Sequence, residues 1–132
     1  MLRRQFELLP EDEQLLNDHG LPWETVVDGS HWVLVHDFPT HEGYDHKTVT
    51  AAIRLETGYP STPLDMVYFN PPLSRLDGQG IGATQATQEI AGVAYQRWSR
   101  HRTEKNQWNP NFDNLETHIA IIEYWLEREF ET

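Results

Sequence analysis

The closing run of the chain constrains the fold most. In "NPNFDNLETHIAIIEYWLEREF", Leu115, Ile119, Ile122 and Leu126 recur at the spacing of one helix face, with Trp125 and Phe130 beside them. Asp113 or Asn114 stands where a capping side chain accepts the first free N–H groups. A helix with one apolar stripe has to bury it against a second layer. The rest of the chain has to supply that layer.

Strand-like runs supply it. Val26 and Val27, then Trp32 to Val35, flank Asp28-Gly29, a strong signal for a tight hairpin. "TVTAAIRLE" reads as a third strand and "LDMVYF" as a fourth, with "TGYPSTP" as the turn between them. Before them, "LPEDEQLLNDHG" reads as a short helix: Pro10 suits its first turn, three acidic residues follow, and Gly20 stops it. Leu15 and Leu16 would pack inward. After the fourth strand, "NPPLSRLDGQGIGATQATQEIAG" shows little periodicity and holds four glycines; an irregular stretch of this length is often functional. The expected architecture is α+β: an N-terminal helix, a four-stranded antiparallel meander, a long irregular crossing that carries the active site, and a long C-terminal helix. One domain over residues 1–132 accommodates it.

Charge narrows the partners. Twenty-one acidic residues against ten basic ones give a formal charge of -11, which opposes nucleic acid, whose phosphates demand broad positive charge. The chain has no cysteine, which excludes disulfides, thiolate metal sites and any thioester. "MLRRQFELLPEDEQ" lacks the apolar run of a signal peptide, and no stretch approaches the roughly 20 apolar residues of a membrane span. A cytoplasmic protein with neither membrane nor nucleic-acid partner is expected, with no cofactor and no metal.

Against that acidic background, "YQRWSRHRTEKNQW" stands out. It holds four of the ten basic residues, Arg97, Arg100, Arg102 and Lys105, and a Ser-x-His pair, Ser99 and His101. In an extended segment, residues two apart point to the same side, so these two can share a face. Taken alone, such a pair is an ordinary loop feature.

Several stretches together resemble a known family. "GYPSTPLDMVYFNPP", Gly58 to Pro72, resembles the ubiquitin-conjugating enzymes of UBC fold: a Tyr-Pro turn, further prolines, and an apolar strand ending in Phe. "WNP", Trp108 to Pro110, resembles the Trp-Ser-Pro that opens their second helix. The fuller resemblance is to the bacterial branch called prokaryotic ubiquitin-conjugating family E, at "LPWE", "GYP", "LDMVYF", "RWSRHR" and "HIAIIEYWLE". It covers nearly the whole chain. Two departures stand out: the His-Pro-Asn tripeptide is missing, and so is the catalytic cysteine.

The resemblance implies a site. In conjugating enzymes the cysteine lies about eight to ten positions before the tryptophan of Trp-Ser-Pro. The same interval before Trp108 reaches "RWSRH", where Ser99 stands, and the bacterial family's histidine after the nucleophile position corresponds to His101. Ser99 would then accept the acyl group of a ubiquitin-like protein as an oxyester, with His101 as base or acid, since a serine needs a base within hydrogen-bond reach. Arg97, Arg100 and Arg102 would stabilise an oxyanion or contact a partner; the ordinary role of such a cluster is ion pairing on an acidic protein. Trp98, Trp108, Tyr59 and Pro60 would form the site's framework, Trp98 as a buried anchor. Thr84 and Thr87 are alternative hydroxyls without a neighbouring base. The implied partners are a ubiquitin-like protein, including tandem ubiquitin-like repeats, and a ubiquitin-activating-type enzyme.

Two other functions compete. A UBC-fold scaffold that binds the ubiquitin-like protein or its activating enzyme without chemistry suits the missing cysteine equally. An ester hydrolase would use the same pair, but no "GxSxG" elbow is present. His31, His36, His41 and His46 invite a metal reading, yet their spacing fits no compact zinc motif; surface or strand-edge histidines are expected. His31 and His36, five apart, would point to opposite faces of a strand. His118, on the last helix, is expected to be partly buried or capping.

Overall fold

The C-terminal stripe closes on a sheet. The structure is a computed structural model that describes residues 1–131; Thr132, the end of the expected domain, lies outside the described residues. The elements run α1 (Pro10–His19), β1 (Trp23–Asp28), β2 (Ser30–Pro39), β3 (Thr48–Leu55), β4 (Val67–Asn70), β5 (Thr87–Ile90), β6 (Val93–Trp98) and α2 (Leu115–Arg128). Proline opens α1, and Gly20 ends it in the left-handed conformation, φ 82°. Asn114 caps α2: its side chain accepts from the Thr117 N–H, and the Thr117 hydroxyl accepts from the Asn114 N–H. Among the described residues no helix is long and apolar enough to cross a membrane.

The sheet is antiparallel, six-stranded, and ordered β1-β2-β3-β4-β6-β5. This corrects the expected architecture of four strands and an irregular crossing. The end of that irregular stretch and the residues that follow it form the hairpin β5–β6, which adds two strands beyond β4. Its turn residues, Ala91 and Gly92, have φ 50° and 83°, and left-handed conformation at both centres is what matches a two-residue turn to strand twist. Alanine seldom adopts that conformation, so the sequence does not announce the turn.

The sheet curls until its two end hairpins touch: the Ala91 N–H donates to the Asp28 carboxylate at 2.8 Å. One face packs Val26, Trp32, Leu34, Tyr68, Ile90 and Tyr95 against one another. The other carries Val33, Phe38, Ile53, Phe69 and Trp98, which bury the apolar faces of both helices, Leu16 from α1 and Leu115, Ile119, Ile122 and Leu126 from α2. Burial of this kind contributes about 1.5–3 kcal/mol per large side chain relative to exposure. The N-terminal segment runs beside β1, where the Gln5 N–H donates to the Thr25 carbonyl and the Thr25 N–H to that of Arg3.

Candidate active site

The site grows from the end of β6. The register Val67↔Trp98 and Phe69↔Gln96 puts Gln96 and Trp98 on the helix-bearing face of the sheet. Trp98 is fully buried, edge-on to Phe69 and Tyr44, and its indole N–H donates to the Gln96 side chain. Gln96 in turn clamps the main chain of Leu73 through both side-chain atoms. Residue 98 is therefore immobilised, and Ser99 leaves the sheet from a fixed point. The Ser99 N–H donates to the carbonyl of Ala83, itself left-handed at φ 57°.

Ser99 and His101 do meet: Oγ lies 3.3 Å from Nε2. On the far side of the ring, Nδ1 lies 2.9 and 3.0 Å from the two carboxylate oxygens of Asp65. A carboxylate only accepts, so Nδ1 carries the proton and Nε2 presents its lone pair to the serine hydroxyl. The arrangement is hydroxyl, imidazole, carboxylate in line, with the imidazole and carboxylate exposed to solvent. Chemically, it can take a proton from Ser99 as Oγ attacks a carbonyl carbon and return it to a leaving group. Sequence reasoning does not single out Asp65. Extending the β4–β6 register two positions beyond Val67↔Trp98 sets Asp65 opposite Arg100, a neighbourhood invisible until β6 is recognised as a strand.

Arg100 and Arg102 are already partnered. Arg100 pairs with Glu129 on the last turn of the chain at 2.7 Å, donates to the Gly82 carbonyl at 2.9 Å, and lies over the Trp98 ring. Arg102 reaches buried Asp113 at 3.4 Å and stacks on Trp108. Arg97 points outward from β6 and is exposed.

The four framework residues pin separate segments together. The Trp108 indole donates to the Pro60 carbonyl at 2.8 Å, and its ring sits beside that of Tyr59. The Tyr59 hydroxyl donates to Asp12 in α1 at 2.7 Å and accepts from the Leu115 N–H that opens α2 at 2.8 Å. Burial raises the pKa of both the Tyr59 phenol and the Asp12 carboxyl above their ordinary values. Beside His101 lies an open groove of about 500 Å³, lined by Leu64, Asp65, Arg102 and Trp108 among others.

The remaining candidates lie elsewhere. Thr84 donates to the Ile81 carbonyl, and Thr87 sits exposed on edge strand β5. His31 stacks on Phe6 and His41 on Phe130. His36 lies between Glu24, at 2.7 Å, and the Thr50 hydroxyl, at 2.9 Å. Glu24 is buried and also held by Arg3; the hydrogen bonds from that guanidinium, against the opposing cost of burial, bring its carboxyl down to about 2. His118 is not partly exposed or capping but 1% exposed, donating from Nε2 to the Met66 carbonyl at 2.9 Å.

A family model described as prokaryotic E2 family E matches residues 8–129 of the chain. No curated protein and no solved structure matches it.

Proposed function

The chain belongs to prokaryotic E2 family E, and from that premise we propose that it carries the C-terminal acyl group of a ubiquitin-like protein as an oxyester on Ser99. Membership supports a role in ubiquitin-like conjugation, with a ubiquitin-like protein and an activating enzyme as partners in general. The observation that carries the finer reading is the line Ser99–His101–Asp65 on a chain without a thiol.

In the loading step, Ser99 Oγ attacks the acyl carbon held on the activating enzyme. Its hydroxyl proton moves to His101 Nε2, the bond from that carbon to the activating enzyme breaks, and the proton leaves with the departing group. In the transfer step an acceptor nucleophile attacks the oxyester carbon. The acceptor's proton moves to His101 Nε2 as its bond to that carbon forms, and Ser99 Oγ departs and recovers this proton from His101. Asp65 holds the ring in the required tautomer and offsets the imidazolium charge. The N–H groups of Arg100 and His101 donate to no protein acceptor among the described residues, and they are the donors available to the developing oxyanion. Arg97, exposed beside the site, is left to contact a partner. The groove along Trp108, beside His101, is where the chain end bearing the acyl group would lie. The reducing cytoplasm suits such a carrier, whose linkage is indifferent to thiol redox.

The experiment is reconstitution with the cognate activating enzyme, ATP and ubiquitin-like protein, followed by intact-mass measurement. An adduct of acyl-protein mass that is lost in mild alkali and survives dithiothreitol supports the oxyester. A chain that binds both partners yet gains no mass supports the scaffold instead.

A further inference from the structure

The exposed array at the site hangs from two residues, one behind each arm: a buried tryptophan and a half-buried methionine. Behind Ser99 is Trp98, locked in the core. Behind Asp65 is Met66, a non-glycine residue in the left-handed region at φ 58°. L-residues with side chains occupy that region at a cost and stay there only where the surroundings hold them. Its side chain packs against the cluster around Trp32 and Tyr68, and α2 holds its carbonyl: His118, buried in the helix face, donates to it from Nε2.

His118 is otherwise hard to account for. It interrupts an apolar stripe, edge-on to Trp125 at 5.8 Å. Because a carbonyl only accepts, Nε2 bears the proton and Nδ1 is bare; that Nδ1 is buried with no hydrogen-bond partner. A buried polar atom without a partner is unfavourable, and an apolar residue of similar size would avoid it. Burial keeps the ring neutral by bringing its pKa down to about 4, with Arg102 adding to the effect and Asp65 opposing it. The only hydrogen bond the His118 side chain makes among the described residues is to the main chain one step from Asp65.

We infer that His118 is a positioning residue for the site: by gripping the Met66 carbonyl it fixes the left-handed turn that aims Asp65 at His101. The inference rests on Ser99 being the nucleophile, and on Asp65 acting through His101. His118 touches none of the reacting atoms.

The test is a double-mutant cycle on the full chain, with p-nitrophenyl acetate as acyl donor. Acylation joins the acetyl carbon to Ser99 Oγ and releases p-nitrophenolate, which is read as a burst. His118→Met, which keeps the volume and removes the donor, is expected to slow the burst at least ten-fold. His118→Gln, which retains an N–H donor, is expected to recover part of the rate. In an Asp65→Asn background His118→Met is expected to have no further effect, because residues acting through one another are non-additive. An equal slowing in both backgrounds, or no slowing at all, overturns the inference. A second measurement does not depend on acylation: the ring-nitrogen NMR shifts of His101 report its tautomer. They are expected to show the Nδ1–H form in the parent chain and a tautomer mixture in both His118→Met and Asp65→Asn. An unchanged tautomer in a folded His118→Met overturns the positioning role even where Ser99→Ala abolishes the burst. A burst that survives Ser99→Ala, with the tautomer shift present, overturns the acyl assignment and leaves the positioning intact.

Discussion

His101 Nδ1 lies 2.9 Å from Asp65 Oδ1, although the two residues are 36 positions apart in the chain. That contact converts a local Ser-x-His pair into an oriented base. With the carboxylate present, the ring proton stays on Nδ1 and the lone pair stays toward Ser99. Asp65→Asn replaces an acceptor with a group that also donates, and the ring loses its preferred tautomer. Loading with the ubiquitin-like protein is expected to slow by about 10²-fold or more, within the range general-base catalysis provides. An intact-mass time course checks it; an unchanged rate would remove Asp65 from the mechanism.

Tyr59 is expected to be a stability residue. Its hydroxyl joins α1 to the start of α2, so Tyr59→Phe leaves both the Leu115 N–H and the Asp12 carboxyl short of a partner. Unfolding in urea should show a loss of about 1–3 kcal/mol, the cost of stranding a buried hydrogen-bonding group. A variant as stable as the parent would mean that water replaces the phenol at no cost.

Acid should weaken the fold in two separate windows. His118 is depressed from 6.5 to about 4 in the folded chain, so the unfolded chain binds a proton that the folded one refuses. Stability is full above about pH 6.5 and falls as pH drops toward 4. Glu24 is depressed from 4.5 to about 2; its contribution is present above about pH 4.5 and is lost as pH falls through 2. Each window is worth up to about 3 kcal/mol. Unfolding free energies measured against pH should show the upper window flatten in His118→Gln and the lower one in Glu24→Gln. Parent-like slopes in both variants would assign the acid sensitivity to other groups.

Ala91 occupies the left-handed region at φ 50° in the β5–β6 turn. Ala91→Gly relieves that conformation while freeing the unfolded chain slightly, for a net gain of about 0.5–1 kcal/mol. A rise in melting temperature is expected, and a fall would contradict the two-residue turn.

The sequence made some of this legible and hid the rest for physical reasons. Periodic apolar residues announce α2, because a helix stripe of Leu115, Ile119, Ile122 and Leu126 has no other reading. Asp28-Gly29 likewise announces the first hairpin. The β5–β6 hairpin stays hidden because its turn is Ala91-Gly92, which lacks the asparagine or aspartate that usually marks such turns. The same gap hides Asp65, since only pairing of β6 with β4 brings it toward Ser99 and His101. His118 is concealed differently. On a helix it reads as a cap or a half-buried polar residue, and its target is a main-chain carbonyl, which leaves no mark in the sequence.

The most direct measurement is the mass and chemistry of the loaded protein in three forms: the parent, Ser99→Ala and Ser99→Cys. The parent should gain the ubiquitin-like protein in a linkage that alkali cleaves and dithiothreitol does not. Ser99→Ala should gain nothing, and Ser99→Cys should gain a linkage that dithiothreitol cleaves. An alkali-labile adduct on Ser99→Ala, mapped to Thr84, Thr87 or any other hydroxyl, would contradict Ser99 as the acyl carrier.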